Sequence, residues 1–180
     1  MTLYKVPIVH ADVTEDWVAD TLKTSLNKSG QNCSKVVVKR FKASEPLEFG
    51  LLSSVFQAVC DAYSDDTNPT EHRVFIKIMP QDEEHLEFFA SASLDVTEIE
   101  TYNVLLRDMI AFEKERLGDE AKLSGIVPRA YASQYLNEPG KPRAFFLMMG
   151  DLAPRFKMPD TNKGTRKSYL QFLYTHAWGR

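Results

Sequence analysis

The stretch RVFIKIMP, Arg73 to Pro80, decides the fold. Val74, Ile76 and Ile78 alternate with Phe75, Lys77 and Met79, the two-residue period of a strand that presents side chains to both faces of a sheet. Pro80 has no N–H to give to a ladder and ends the pairing. The strand therefore carries Lys77 in its middle, among apolar neighbours.

Immediately upstream lies SDDTNPT, Ser64 to Thr70, a cluster of turn formers, and before it a β-rich run from Leu47 to Tyr63 broken by Gly50. Strand, turn and strand in that order predict a hairpin. Further upstream, KVVVKRF from Lys35 reads as another strand. Trp17, Val18, Leu22 and Leu26 form one stripe of an amphipathic helix from Thr14 to Ser29, with Gly30 as its stop. Downstream, Val96, Ile99, Leu106, Met109, Ile110 and Leu117 follow a helical period from Leu94 to Leu117, closed by Gly118. Two strands, Val127 to Tyr135 and Ala144 to Met149, flank the turn LNEPGKP, and a last helix is expected from Ser168 to Trp178. The order predicts an α+β layer arrangement. No GxGxxG or Walker A string is present, which removes the Rossmann and P-loop readings.

Composition agrees with a folded domain. Of 180 residues, 43% are hydrophobic and 26% charged, and a chain of this length buries a core without a disulfide or structural metal. Cys33 and Cys60 show no metal-ligand spacing and read as small buried hydrophobes in a reducing, cytoplasmic compartment. No signal peptide is evident, and no apolar run reaches the roughly 20 residues of a membrane span. The net charge is only −3, but its distribution is uneven. Seven acidic residues and no Lys or Arg fall between Gln81 and Glu100, whereas six basic residues and one Asp fall between Arg155 and Arg180. The basic stretch contains Tyr169, Phe172 and Leu173, which fit the buried face of a helix better than a nucleic-acid surface.

A hairpin with a mid-strand lysine, a helix bearing Glu about twenty residues later, and two strands ending in a connector make up the smaller lobe of a protein-kinase-like fold. The residues that match are Lys77, Glu98 and the connector from Met149 to Leu152. Alone, they leave a second role open for each. Lys77 could simply snorkel to water, and either Glu98 or Glu100 could be an ordinary solvated helix residue.

Five segments in order resemble the ecdysteroid kinase-like family, which is grouped with choline kinase-like and aminoglycoside phosphotransferase enzymes. They are FGLLSSVFQAV from Phe49, VFIKIMP from Val74, VTEIETYNVLL from Val96, VPRAYA from Val127 and FFLMMGDLAP from Phe145. QFLYTHA from Gln171 is similar to the family's helix beyond the hinge. The resemblance implies a kinase-like N-terminal lobe, an antiparallel sheet with one long helix, followed by the hinge and first helix of a truncated C-terminal lobe. The implied division is residues 1–34 as a helical extension, 35–152 as the nucleotide-binding lobe and 153–180 as the segment after the hinge.

The same resemblance implies site roles. Lys77 would contact the phosphates of ATP and Glu98 would pair with it. Gly50, Ser53 and Ser54 would form the loop over the phosphates, and Met149, Gly150, Asp151 and Leu152 would be the hinge that receives adenine. Two departures stand out: the loop keeps only Gly50, and GDL replaces the family's Glu-Asp-Leu in the hinge.

The intact family transfers phosphate from ATP to a hydroxyl on a small molecule, with Mg²⁺. No HxDxxxxN-like string occurs here, so no catalytic residue and no metal ligand is assigned. The chain is expected to hold nucleotide without catalysing transfer, and to meet an acceptor only with a C-terminal lobe present. An open apolar face on the last helix is expected to favour self-association. The alternative is a protein-interaction module without nucleotide. His72 and His85 read as surface residues, and Asp65 and Asp66 as a solvated turn.

Overall fold

A computed structural model describes residues 4–43, 53–64, 68–80, 82–140 and 142–152. Its centre is a five-stranded antiparallel sheet in the order β1-β2-β3-β5-β4. The strands are β1 (Lys35–Ala43), β2 (Ser54–Tyr63), β3 (Thr70–Ile78), β4 (Ala130–Leu136) and β5 (Ala144–Gly150). The hairpin expected around Ser64 to Thr70 is the β2–β3 pair, with Val55 opposite Lys77 and Phe56 opposite Ile76. β5 lies on the other side of β3 and sets Leu147 opposite Lys77. Lys77 therefore stands on a central strand, flanked by apolar residues on both neighbours.

β5 reads AFFLMMG and is buried from Ala144 to Met149. A strand with apolar residues at successive positions is covered on both faces, and both coverings are present. On one face α1 (Glu15–Lys28), capped by the Thr14 hydroxyl accepting from Trp17 N–H at 3.1 Å, packs Trp17, Val18, Leu22 and Leu26 against Phe56, Ile76, Phe146 and Met148. Trp17 meets Phe146 edge-on at 5.1 Å, and its indole N–H donates to the Lys5 carbonyl at 2.8 Å. On the other face α2 (Glu83–Ser91) and α3 (Leu94–Glu100) pack Phe89 and Ile99 against Phe145, Leu147 and Met149.

The helix expected from Leu94 to Leu117 is present but not uniform. α3 passes into a π-helical turn, Thr101–Leu105, and then α4 (Leu106–Leu117). The wide turn inserts an extra residue and rotates everything after it relative to a 3.6-residue stripe. Met109 and Leu117, expected on the core face, are exposed because α4 runs past the sheet and buries none of its residues. The expected stripe is buried at Ile99, where the helix lies on the sheet. α5 (Leu123–Ile126) follows, its approach held by the Glu113 carboxylate accepting from Lys122 N–H and Leu123 N–H.

Two sequence expectations need correction. The run after Pro80 shows acidity and no helical stripe in the sequence, yet Asp82 caps a helix there, α2, by accepting from His85 N–H at 2.9 Å. His72 is buried, because it shares the parity of Val74 and Ile76 on β3 and faces α1's side of the sheet, where its Nδ1 and the Tyr131 hydroxyl share a 3.0 Å hydrogen bond. Burial first, and the Arg129 charge second, hold its pKa below the ordinary histidine value. His85 is exposed beside Asp82, as expected. Gly50, Asp65, Asp66 and the helix expected from Ser168 to Trp178 lie outside the described residues.

Candidate functional site

The side chain of Lys77 leaves β3 on the face covered by α2 and α3, and its Nζ donates to the Glu98 carboxylate at Oε1. Both side chains are about a fifth exposed, 19% for Lys77 and 22% for Glu98. The pair is thus neither a solvated surface contact nor a sealed one. Glu98 reaches the lysine because Asp95, Glu98, Ile99 and Tyr102 share one face of the helix. Glu100 is exposed and points elsewhere, onto a groove it lines with Thr97, Thr101, Val104, Leu105 and Phe112. The choice of Glu98 over Glu100, open in the residues alone, is decided by the helix's orientation on the sheet. Tyr102, one turn beyond Glu98, stays a neutral phenol, its pKa raised by burial and then by the Glu98 charge.

The helices cover the β5 side of this face more fully than the β2 side. Val55, Gln57 and Val59 of β2 and Phe75 of β3 keep intermediate exposure beside Lys77. Val55, Val59 and Phe75 make an apolar strip, interrupted by the Gln57 carboxamide, that leads away from the ammonium group. Sequence reasoning did not assign Val55 or Phe75 to the site. Their alternation in SVFQAVCDAY and RVFIKI carried the signal, since residues opposite or two away from Lys77 share its face.

The connector starts where β5 ends. Met149 is buried opposite Phe75. Gly150 N–H donates to the Arg129 carbonyl at 2.8 Å, and Asp151 N–H donates to the Arg73 carbonyl at 2.9 Å. A Cβ on Gly150 would meet Tyr131 at 3.7 Å and Arg129 at 3.8 Å, ordinary contact distances. Among the described residues, nothing in the packing requires glycine at this position.

The loop residues are divided by the sheet. Ser53 sits in a half-buried bend leading into β2. Ser54 is opposite Ile78, on the α1 face, and its hydroxyl is bonded to His10 Nε2, whose ring packs edge-on against Phe56. Strand alternation thus sets the Ser54 side chain, expected in the loop over the phosphates, on the face opposite Lys77. His10 belongs to a short 3₁₀ turn, His10–Asp12, braced by the Asp12 carboxylate accepting from Ile8 N–H and Val9 N–H.

Two concavities lie apart from the lysine. One is the groove of about 740 Å³ along α3 and α4, and the other, of about 400 Å³, lies between the N-terminal segment and α1. Among the described residues no group of three His, Cys, Asp or Glu side chains could hold a metal ion, and no helix is long and apolar enough to cross a membrane.

A family model, that of the ecdysteroid kinase-like family, matches residues 50–176, well over half of the chain. The chain belongs to the ecdysteroid kinase-like family. The match takes in β2 through β5, the Lys77–Glu98 pair and the connector, and continues past the described residues. It leaves out α1 and β1, although α1 supplies one wall of the core. No curated protein and no solved structure gives a match beside it. The α+β sheet with its helices is compatible with the N-terminal lobe of a kinase-like, small-molecule phosphotransferase fold.

Proposed function

We propose that the Lys77 face binds a nucleoside triphosphate, ATP first among them, as the nucleotide-holding part of a phosphotransferase whose acceptor is a hydroxyl on a small molecule. The observation that carries this reading is the Lys77–Glu98 pair, set beside a half-open apolar strip on a central strand. A lysine bonded to one carboxylate oxygen has two further N–H donors. Glu98 holds the long side chain extended, so that those donors are presented without first losing rotamer freedom. Phosphate oxygens suit them by charge and geometry.

Val55 and Phe75 offer the apolar seat that a purine ring requires. With the N–H groups of Gly150 and Asp151 committed to Arg129 and Arg73, the Gly150 carbonyl and Leu152 N–H are the hinge groups we assign to the base. Gly50 and Ser53 are assigned to the phosphates through backbone groups. Mg²⁺ would enter with the nucleotide and be held by its phosphates.

Isothermal titration of the full chain with MgATP tests the reading. Binding is expected, weakened about tenfold or more in Lys77→Met, which removes the charge but keeps the stem, a loss of roughly 1.4 kcal/mol or more. No heat and no thermal shift at millimolar MgATP, or an affinity unchanged in Lys77→Met, refutes it and leaves the interaction-module reading in its place.

A further inference from the structure

Glu98 meets Lys77 only if α3 sits at one rotation about its own axis. A helical carboxylate lies about 5–6 Å from the axis, so a 30° turn of the helix displaces it by roughly 3 Å, enough to break the contact. Apolar packing at Ile99 and Leu94 resists such a turn weakly, because hydrophobic contact is not directional. A directional contact lies one turn upstream. Asp95 is fully buried, and Arg143 meets it with a two-pronged fork: Nε donates to Oδ2 at 2.8 Å and Nη2 donates to Oδ1 at 2.6 Å. The remaining prong, Nη1, donates to the Ala90 carbonyl at 3.1 Å, at the C-terminal end of α2.

One guanidinium thus joins the end of α2, the first turn of α3 and the residue that precedes β5. Between the two helices Ser93 takes a left-handed conformation, φ 51°, and the Arg143 contacts to Ala90 and Asp95 brace this break from both sides. A buried carboxylate left unpaired is strongly destabilising, and a planar fork accepts it in few orientations. Asp95 and Glu98 are three residues apart on the same helical face. β5 is also the strand whose Leu147 pairs with Lys77. Lysine and glutamate are therefore both referenced to β5, the lysine through the sheet ladder and the glutamate through Arg143 and Asp95.

We propose that Asp95 and Arg143 form a positioning pair that fixes the rotation of α3 and so delivers Glu98 to Lys77. The effect on nucleotide affinity rests on the function proposed above; the effect on the Lys77–Glu98 contact does not. The test is zero-length carbodiimide crosslinking of the full chain. The Lys77–Glu98 amide is read by peptide mass spectrometry, below the melting temperature of every variant, alongside titration with MgATP.

Asp95→Asn and Arg143→Lys are expected to cut the crosslink about fivefold or more. The lysine keeps the charge and loses the fork. Val18→Ala, a core truncation on the opposite face, is expected to lower the melting temperature and leave the crosslink at the wild-type yield. If Asp95→Asn does not fold, Arg143→Lys decides alone. The proposal is overturned if Arg143→Lys retains the wild-type crosslink yield, or if Val18→Ala loses as much of it. A wild-type chain that fails to bind MgATP but whose crosslink depends on Arg143 overturns the nucleotide reading and supports this one.

Discussion

Replacing Lys77 by Met and Glu98 by Gln, singly and together, isolates the coupling between them from their separate packing. At about 4 Å and an effective dielectric near 20, a unit pair is worth roughly 4 kcal/mol before costs. Holding a lysine and a glutamate in single rotamers costs up to about 2 kcal/mol each. With a fifth of each side chain still exposed, some of the hydration is retained, so the desolvation penalty of a sealed pair does not apply in full. The net coupling is expected near 1 kcal/mol, at the upper end of what exposed pairs give. Urea denaturation of the four proteins at neutral pH measures it, provided the denaturant slope is common to all. Coupling should fall without vanishing in about 1 M salt, where the screening length is about 3 Å. A value under about 0.3 kcal/mol, within the additivity of unrelated sites, would refute the claim that Glu98 holds Lys77.

Phe146→Ala removes a fully buried ring met edge-on by Trp17 at 5.1 Å and Tyr4 at 5.8 Å; a loss of about 4 kcal/mol and a red-shifted Trp17 fluorescence are expected, and a loss under about 1.5 kcal/mol would contradict α1's place in the core. The Cys60 thiol is pushed up to about 12 by burial and by the Asp61 charge. Alkylation near pH 8 should therefore label it only through unfolding, more than about 100-fold slower than in urea, and rapid labelling of the native chain would argue against that burial.

For His72, whose pKa is lowered in the fold by burial and then by Arg129, the unfolded chain takes up the proton first as pH falls. The histidine therefore lowers stability progressively below its unfolded value of 6.5. Denaturation midpoints at about pH 7.5 and about pH 5.5 should differ more in the wild type than in His72→Gln. Equal differences would show that the histidine is not buried neutral.

Much of this architecture was legible in local pattern. RVFIKIMP announced its own strand and the two faces of Lys77, and Pro80 its end. The stripe of Trp17, Val18, Leu22 and Leu26 announced α1, which buries those four residues. α2 was hidden because EEHLEFFAS buries only Phe89, leaving no stripe to read. The far half of the long helix misled because an apolar period shows that a helix has a face to bury but not what covers it, and α4 extends beyond the sheet with no buried residue. Arg143 gave no signal at all: an arginine after LNEPGKP looks like loop chemistry until β5 carries it to the buried Asp95, 48 residues away.

By itself the sequence determined the α+β class, the position of Lys77 on a two-faced strand and the presence of a carboxylate on the following helix, because each depends on alternation, spacing and turn chemistry over a few residues. Only the tertiary structure decided that Ser54 turns to His10, and that Asp95 and Arg143 join the two helices to β5. These depend on how a helix is rotated against a sheet and on which face a strand's register exposes. Contacts distant in the chain set both, and no local pattern encodes them.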